Sequence, residues 1–474
     1  MKRIIFAIIT IVSLPLSAQV TTPLSSWRGA GGEALSLQQL KDSALQNNIA
    51  IRNAKHAIDA AQQQRKEAFT KYFPNVSGTG FWFNANKGMA QTELNLSEQI
   101  SPELGMALSQ ALPAEALAAL GNPISISMMK NGTIADINAV QPVFAGGQII
   151  NGNKLAKVGE DISRLQLQLS ENEVEKQTEQ YYWQLVSLQE KMKTIEAVQA
   201  LLTDIHKDVD VAVRAGVAMK NDLLQVQLRQ NEVESQKLKL KNGINIVRLL
   251  LAQYCGLNSL EWRVESGEFA TAVPLGEGMA AANSPLYTLN SQLYTQNSTL
   301  EALPEYQLLN KQVEATNLQR KMEIGKNLPT VGVGAGYNYH NLLDNNHSFA
   351  MVFATVSVPI SDWWGGSHAI KRKKIAQQQA EEQLANNSEL LKIRMQNAWN
   401  NVEESRQQLQ IAQRSIEQAK ENLRLNRDYY KAGTSKMSDL LEAQLLYQQS
   451  LDRRTDAFAD YQNKLLEYRQ ATGQ

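Results

Sequence analysis

Two carboxylates three residues apart, Asp439 and Glu442, fall on one face of the helix their surroundings predict, where they could draw cations to a surface. A helix start would favour them anyway, since acidic groups offset the positive end of the helix dipole. Other reactive groupings are missing. The five histidines (His56, His206, His340, His347 and His368) show no metal-ligand pairing, and one cysteine, Cys255, makes neither a Cys-His grouping nor an intrachain disulfide framework. Gly147 to Lys154 opens like a phosphate loop, but Asn153 interrupts the Gly-Lys pair and Leu155 replaces the required Ser or Thr. Gly332, Gly334 and Gly336 are strand glycines with the wrong spacing for a dinucleotide fingerprint. The expectation is no enzyme and no cofactor, and a net charge of zero gives no pull toward nucleic acid.

The elements that carry these residues begin after an export signal. Met1-Lys2-Arg3, an apolar run from Ile4 to Leu16 and Ser17-Ala18-Gln19 read as a cleaved signal peptide over residues 1–18. Beyond it no run of roughly 18 apolar residues appears, so no transmembrane helix is expected in the mature chain from about 19 to 474. That leaves a periplasmic protein, a secreted one or a membrane β-structure. Of the 474 residues 12 are proline and 20% are charged, as suits a large helical share.

The chain is an internal duplication. Gly216 in Arg214-Ala215-Gly216 matches Gly433 in Lys431-Ala432-Gly433, an offset of 433 − 216 = 217. Asp222-Leu223-Leu224 and Asp439-Leu440-Leu441, Pro142 and Pro359, and Gly256 and Gly473 keep the same offset. Phe73-Pro74 matches Leu328-Pro329 at 329 − 74 = 255, so the first copy holds an insertion of 255 − 217 = 38 residues. The repeats run over about 35–257, with the insertion at about 84–131, and about 304–474, with a linker of about 258–303 between them.

Each copy reads as a helix, two strands, a long helix, a turn and a helix. Opening helices are expected over Leu37–Tyr72 and Pro304–Asn327, each ending just before a proline. Long helices are expected over Ile149–Ala215 and His368–Ala432, each on the order of 100 Å at ~1.5 Å per residue, and such lengths need coiled-coil partners. Met395, Val402, Leu409, Ile416, Leu423 and Tyr430 recur every seven residues with small Ala398, Ser405, Ala412 and Ala419 between them. An amphipathic helix on a compact globular core is disfavoured by these lengths.

Thr330 to His340 alternates. Val331, Val333, Ala335, Tyr337 and Tyr339 share one face, and the glycines, Asn338 and His340 the other, as a membrane strand requires. Phe349 to Val358 is the next strand, with Phe349, Met351 and Phe353 expected to face lipid. The first copy supplies Val76–Phe83, with Phe81-Trp82-Phe83 as an aromatic girdle, and Thr133–Phe144. Four strands cannot close a membrane barrel, so several chains must pool theirs, and two, three or four copies all satisfy that argument. A soluble four-stranded sheet capping a helical bundle is the alternative.

Taken in order, Leu35-Ser36-Leu37-Gln38-Gln39-Leu40, Phe73-Pro74, Pro142-Val143-Phe144-Ala145-Gly146-Gly147, Leu328-Pro329, Pro359-Ile360-Ser361-Asp362-Trp363-Trp364-Gly365-Gly366 and Tyr430 to Gln444 resemble the TolC or outer-membrane efflux protein family over nearly the whole mature chain. The resemblance implies a mainly α protein with membrane β. It implies a long antiparallel coiled-coil α-barrel plus four strands per protomer, a homotrimer forming a 12-stranded β-barrel in outer-membrane lipid, and an equatorial band from the linker and C-terminal end. It further implies a passive duct, recruited by an inner-membrane pump of RND, ABC or MFS type and a periplasmic adaptor (a membrane fusion protein), passing drugs, toxic compounds or metals.

The family's adaptor-contact tips match Ala215, Gly216 and Val217 and Ala432, Gly433 and Thr434. The same glycines read as helix C-caps needing positive φ, and both roles are compatible, since a glycine also lets another backbone come close. The family's periplasmic gate matches Asp439 and Glu442 as carboxylate rings under three-fold symmetry, and Tyr430 and Asp222 as latch residues. Ser435 stands where the family has a basic latch residue, with Lys436 beside it.

The insertion, with Met89, Met106, Met128, Met129 and a helix expected over Pro102–Leu120, reads as loop decoration outside the cell. Alternatives to the efflux duct are a type I protein secretion exit of the same fold, a periplasmic adaptor, and a structural coiled-coil protein. The duplication counts against the adaptor and the strand alternation against the structural coiled coil.

Overall fold

The structure, a computed structural model, describes residues 34–86, 90–94, 124–128, 130–257, 262–264, 297–342, 346–360 and 362–473, with positions 101, 104, 106 and 113. The expected signal peptide, most of the linker, nearly all of the helix expected over 102–120 and residues 343–345 of the second hairpin lie outside the described residues. In chain order the elements are β1 (Ala34–Leu35), α1 (Leu37–Asn47), α2 (Ile49–Thr70), β2 (Asn75–Asn84), β3 (Ala90–Leu94), β4 (Ile124–Met128), β5 (Asn131–Ala145), α3 (Gln148–Arg214), α4 (Lys220–Cys255), β6 (Arg263–Val264), α5 (Asn297–Ala302), α6 (Pro304–Lys326), β7 (Thr330–Asn341), β8 (Asn346–Ser357), α7 (Asp362–Lys431) and α8 (Met437–Thr472).

The opening helix expected as one piece from Leu37 to Tyr72 is two. Asn48 is extended (φ −62°, ψ 137°), and its side-chain oxygen accepts the Ala50 N–H at 2.8 Å, so α2 starts afresh from an Asn cap. Leu303 makes the same break between α5 and α6, extended ahead of Pro304, whose fixed φ and missing donor suit a first helical position. The two breaks are 303 − 48 = 255 residues apart, the offset that separates Pro74 from Pro329.

β2, β5, β7 and β8 form one antiparallel sheet in that order. Register sorts the side chains into two faces. One carries Val76, Ala139, Ala335 and Val352 in one row and Gly78, Ile137, Tyr337 and Ala350 in the next, with Trp82, Val333 and Val356 further along, all exposed where large. The other carries Ser77, Asn138 and Gly336, then Thr79, Asp136 and Asn338, with Thr79 donating to the Asp136 carboxylate and Asn138 Nδ2 donating to it at 2.5 Å. Phe349, Met351 and Phe353 pair with Asn338, Gly336 and Gly334, so they lie on the polar and glycine face, contrary to the sequence expectation. Both faces of β8 are apolar, so alternation alone cannot fix its phase. Pairing does, because Phe353 fills the space over Gly334, where an added Cβ would lie 2.5 Å from its ring. Phe81 and Phe83 stack on that face, 5.8 Å apart, while Trp82 is on the apolar one.

The chain divides into two compact units. One comprises residues up to Ala44, Thr178–Leu275 and Asn422–Thr455, with a core of Ile195, Leu202, Val209, Val226, Met437 and Leu440. The other comprises Leu45–Gln177, Gly276–Glu421 and Asp456–Gln474 and contains the sheet. There Met395, Trp399 and Val402 of α7 pack with Leu303 and with Tyr468 of α8, and Val158 of α3 packs with Ala315 and Leu318 of α6. Along α7, Met395, Val402, Leu409 and Ile416 are buried together with Ala398, Ser405 and Ala412, the large and small positions of the seven-residue pattern. Among the described residues no helix is long and apolar enough to cross a membrane.

Candidate functional site

The candidate site lies in the first unit, where α3 turns into α4 and α7 into α8. Each turn is a Schellman closure. Gly216 (φ 77°) donates to Val213 O at 3.0 Å and Val217 to Ala212 O at 2.9 Å. Gly433 (φ 70°) donates to Tyr430 O at 3.0 Å and Thr434 to Tyr429 O at 2.9 Å. A side chain would find open space at both glycines, so the backbone angle is what requires glycine there.

The next helices are capped alike. Asp222 accepts the Met219 N–H at 3.3 Å and Asp439 the Lys436 N–H at 3.2 Å, each satisfying a donor at a helix start that has no partner within the helix. Ser438 Oγ donates to the other Asp439 oxygen at 3.1 Å. Asp439 is therefore engaged in its own helix cap. Glu442 is exposed one turn on.

Between the two turns is a groove of about 1000 Å³ lined by Val209, Val217, Met219, Asp222, Tyr430, Gly433 and Ser435, among others. It brings together Val217, Asp222, Tyr430, Ala432 and Gly433 from the sequence-derived set, while Ala215, Gly216, Thr434, Asp439 and Glu442 fall outside its lining. Burial, and secondly the Asp222 carboxylate, push the Tyr430 phenol above its usual range, which keeps it protonated as a donor. Ser435 Oγ is buried with no partner among the described residues. Val217 and Met219 stand out at 80% and 74% exposure, a pair of apolar side chains presented at the tip.

One residue escaped the sequence reading. Arg229 of α4, 8% exposed, donates to Gln444 Oε1 at 3.1 Å and Gln448 Oε1 at 3.0 Å on α8 and pairs with Glu232 at 2.9 Å. Gln448 passes the chain on to Gln236 at 2.9 Å. The available signal was spacing, since Arg229 falls between Val226 and Val233 at a position the coiled-coil pattern assigns to an apolar side chain. Among the described residues no three His, Cys, Asp or Glu side chains gather as a metal site.

Comparison with known proteins follows the same lines. Residues 295–474 match the family model for outer membrane efflux protein. No curated protein matches the sequence. The fold is similar to VceC of Vibrio cholerae (TM-score 0.68, 13% identity, covering 92% of this chain and 96% of that one) and CmeC of Campylobacter jejuni (0.69, 15%, 94% and 90%). It is also similar to the open state of MtrE of Neisseria gonorrhoeae (0.65, 15%, 92% and 88%). Helices and sheet together have the fold of these TolC-like outer-membrane channels. Residues 295–474 thus resemble outer membrane efflux proteins in sequence, and the likeness in fold extends along nearly the whole length.

Proposed function

We propose that three copies of this chain form the passive outer-membrane exit duct of a tripartite efflux system. The carrying observation is the four-stranded sheet. Its outer strands β2 and β8 are exposed over nearly every residue and each has an edge unpaired among the described residues, its apolar face is suited to lipid, and its opposite face carries Ser77, Thr79, Asp136 and Asn138 beside the Phe and Met side chains named above. Hydrocarbon does not tolerate open strand edges. Copies joined edge to edge remove them, and three supply the 12 strands of the family's barrel. Helices continuing from the strands would carry the duct into the periplasm.

At the two helix-turn-helix tips, Ala215, Gly216, Val217, Ala432, Gly433 and Thr434 are the proposed contacts for a periplasmic adaptor, with Val217 offering an exposed apolar anchor. Tyr430 and Asp222, facing one groove, and Asp439 and Glu442 are the proposed gate. In this conformation Asp439 serves its helix cap, so a gating role would require that cap to be exchanged.

Deleting the gene and restoring it tests the reading. Loss should raise sensitivity to small toxic compounds severalfold, and a plasmid copy should restore resistance. Unchanged sensitivity with loss of an exported protein would replace this reading with type I secretion. In planar bilayers, Tyr430→Phe combined with Asp222→Ala should raise single-channel conductance severalfold, and unchanged conductance would remove these two residues from the gate.

A further inference from the structure

A second cavity, of about 770 Å³, lies between α2 and α3 close to where both join the sheet. Its rim is apolar and exposed, formed by Phe69, Tyr72 and Ile150, with Phe69 packed edge-on against Tyr72 and Phe73 at 5.7 and 5.5 Å. The cleft is also cationic, with Arg65, Lys66, Lys154 and Lys157 in its lining. Glu160 is the one carboxylate of the lining, and both its oxygens are taken, by Arg65 at 3.0 Å and Arg164 at 2.7 Å. Lys66, Lys154 and Lys157 have no ion pair among the described residues, so three positive charges stand uncompensated in the cleft.

The framework is built. Asn153 Nδ2 donates to Ala68 O at 2.8 Å and ties the two helices together. Gln141, opposite Val333 on the apolar face of the sheet, donates through Nε2 to Tyr72 O at 3.0 Å, so the rim continues that face. From Tyr72 and Ile150 the lysines lie roughly 5–10 Å further along their helices at ~1.5 Å per residue. That is about the thickness of a headgroup layer beyond the hydrocarbon. Aromatic rings at the boundary and cations just outside it are the arrangement that anionic lipid selects.

We propose that this cleft binds the phosphate of an anionic phospholipid in the periplasm-facing leaflet, with the acyl chains against Phe69, Tyr72, Ile150 and the apolar face of the sheet. The inference rests on the membrane placement proposed above.

Native mass spectrometry of the purified oligomer, titrated separately with phosphatidylglycerol and phosphatidylcholine, tests it. The wild type should prefer phosphatidylglycerol. The triple variant K66Q/K154Q/K157Q should bind that lipid on the order of 100-fold more weakly, at about fivefold per lysine. The charge-keeping variant K66R/K154R/K157R should retain the preference. A wild type indifferent to headgroup, or a glutamine variant with undiminished preference, overturns the proposal. So does full displacement of the lipid by millimolar inorganic phosphate, which would mark a site for the free ion. Absence of the wild type from outer-membrane fractions would instead strike the functional reading, so the two failures are distinguishable.

Discussion

Gly146 and Gly325 meet backbone to backbone. A Cβ on Gly146 would lie 2.1 Å from Gly325 O, and one on Gly325 would lie 2.3 Å from Gly146 O. The turn from β5 into α3 is thereby seated on the last turn of α6. Gly325→Ala should cost about 1–3 kcal/mol, as overpacking does. Gly159→Ala, with nothing within 4 Å of its new methyl group, should be neutral or stabilising. Melting temperatures of the two variants check this, and equal shifts would contradict the close contact.

The phase of β8 predicts effects of unequal size at adjacent residues. Val352 shares the apolar face with Val76 and Ala139, while Met351 lies opposite Gly336. Val352→Lys should destabilise the membrane-inserted protein by roughly 2–4 kcal/mol if near the bilayer midplane, and Met351→Lys should be far milder. The heat needed to dissociate each variant in gel electrophoresis reports the difference. A milder effect at Val352 would return Phe349, Met351 and Phe353 to the lipid side.

Arg229 is held by two glutamine oxygens of α8. Arg229→Ala leaves those buried acceptors unpaired and should cost on the order of 2–3 kcal/mol. Removing the acceptors as well, in R229L/Q444L/Q448L, should be less damaging than the single change, because the two buried acceptors are gone and the Gln236 oxygen that loses its partner is only half-buried. Denaturant midpoints decide it, and a triple variant weaker than R229A would refute the account of this seam.

Glu160 supplies a pH dependence. Its hydrogen bonds from Arg164 first and Arg65 second hold its carboxyl below the ordinary range. A depressed folded-state pKa contributes stability that is present above the unfolded value of about 4.3 and is lost as pH falls through the folded value. Glu160→Gln should therefore be less stable than wild type at neutral pH, with the gap closing at lower pH. A gap constant from pH 7 to pH 3 would show that charge is not the cause.

The sequence made the long helices and the tips legible because their signals are local. Seven-residue spacing marked α7, and Gly216 and Gly433 marked turns that only glycine closes readily. Asn48 sits inside a helical pattern that hides the break, since a capping side chain restarts a helix without proline or glycine. The face that Phe349, Met351 and Phe353 occupy is not legible in the sequence, because register with β7 is a non-local fact. Arg229 was missed since its partners lie 215 and 219 residues away. Asp439 reads from sequence both as a gate carboxylate and as a group favoured at a helix start, and its 3.2 Å bond from the Lys436 N–H shows it engaged as a cap.

The central claim, that chains pool their strands edge to edge, is tested most directly by disulfide cross-linking between β8 of one copy and β2 of the next. Val352→Cys would be combined in turn with Val76→Cys, Gly78→Cys or Gly80→Cys in a Cys255→Ser background, and outer membranes of intact cells would be oxidised. The account predicts that at least one pair gives a reducible trimer on denaturing gels, with no larger species. A monomer at every pair, or a ladder extending past three, would contradict it.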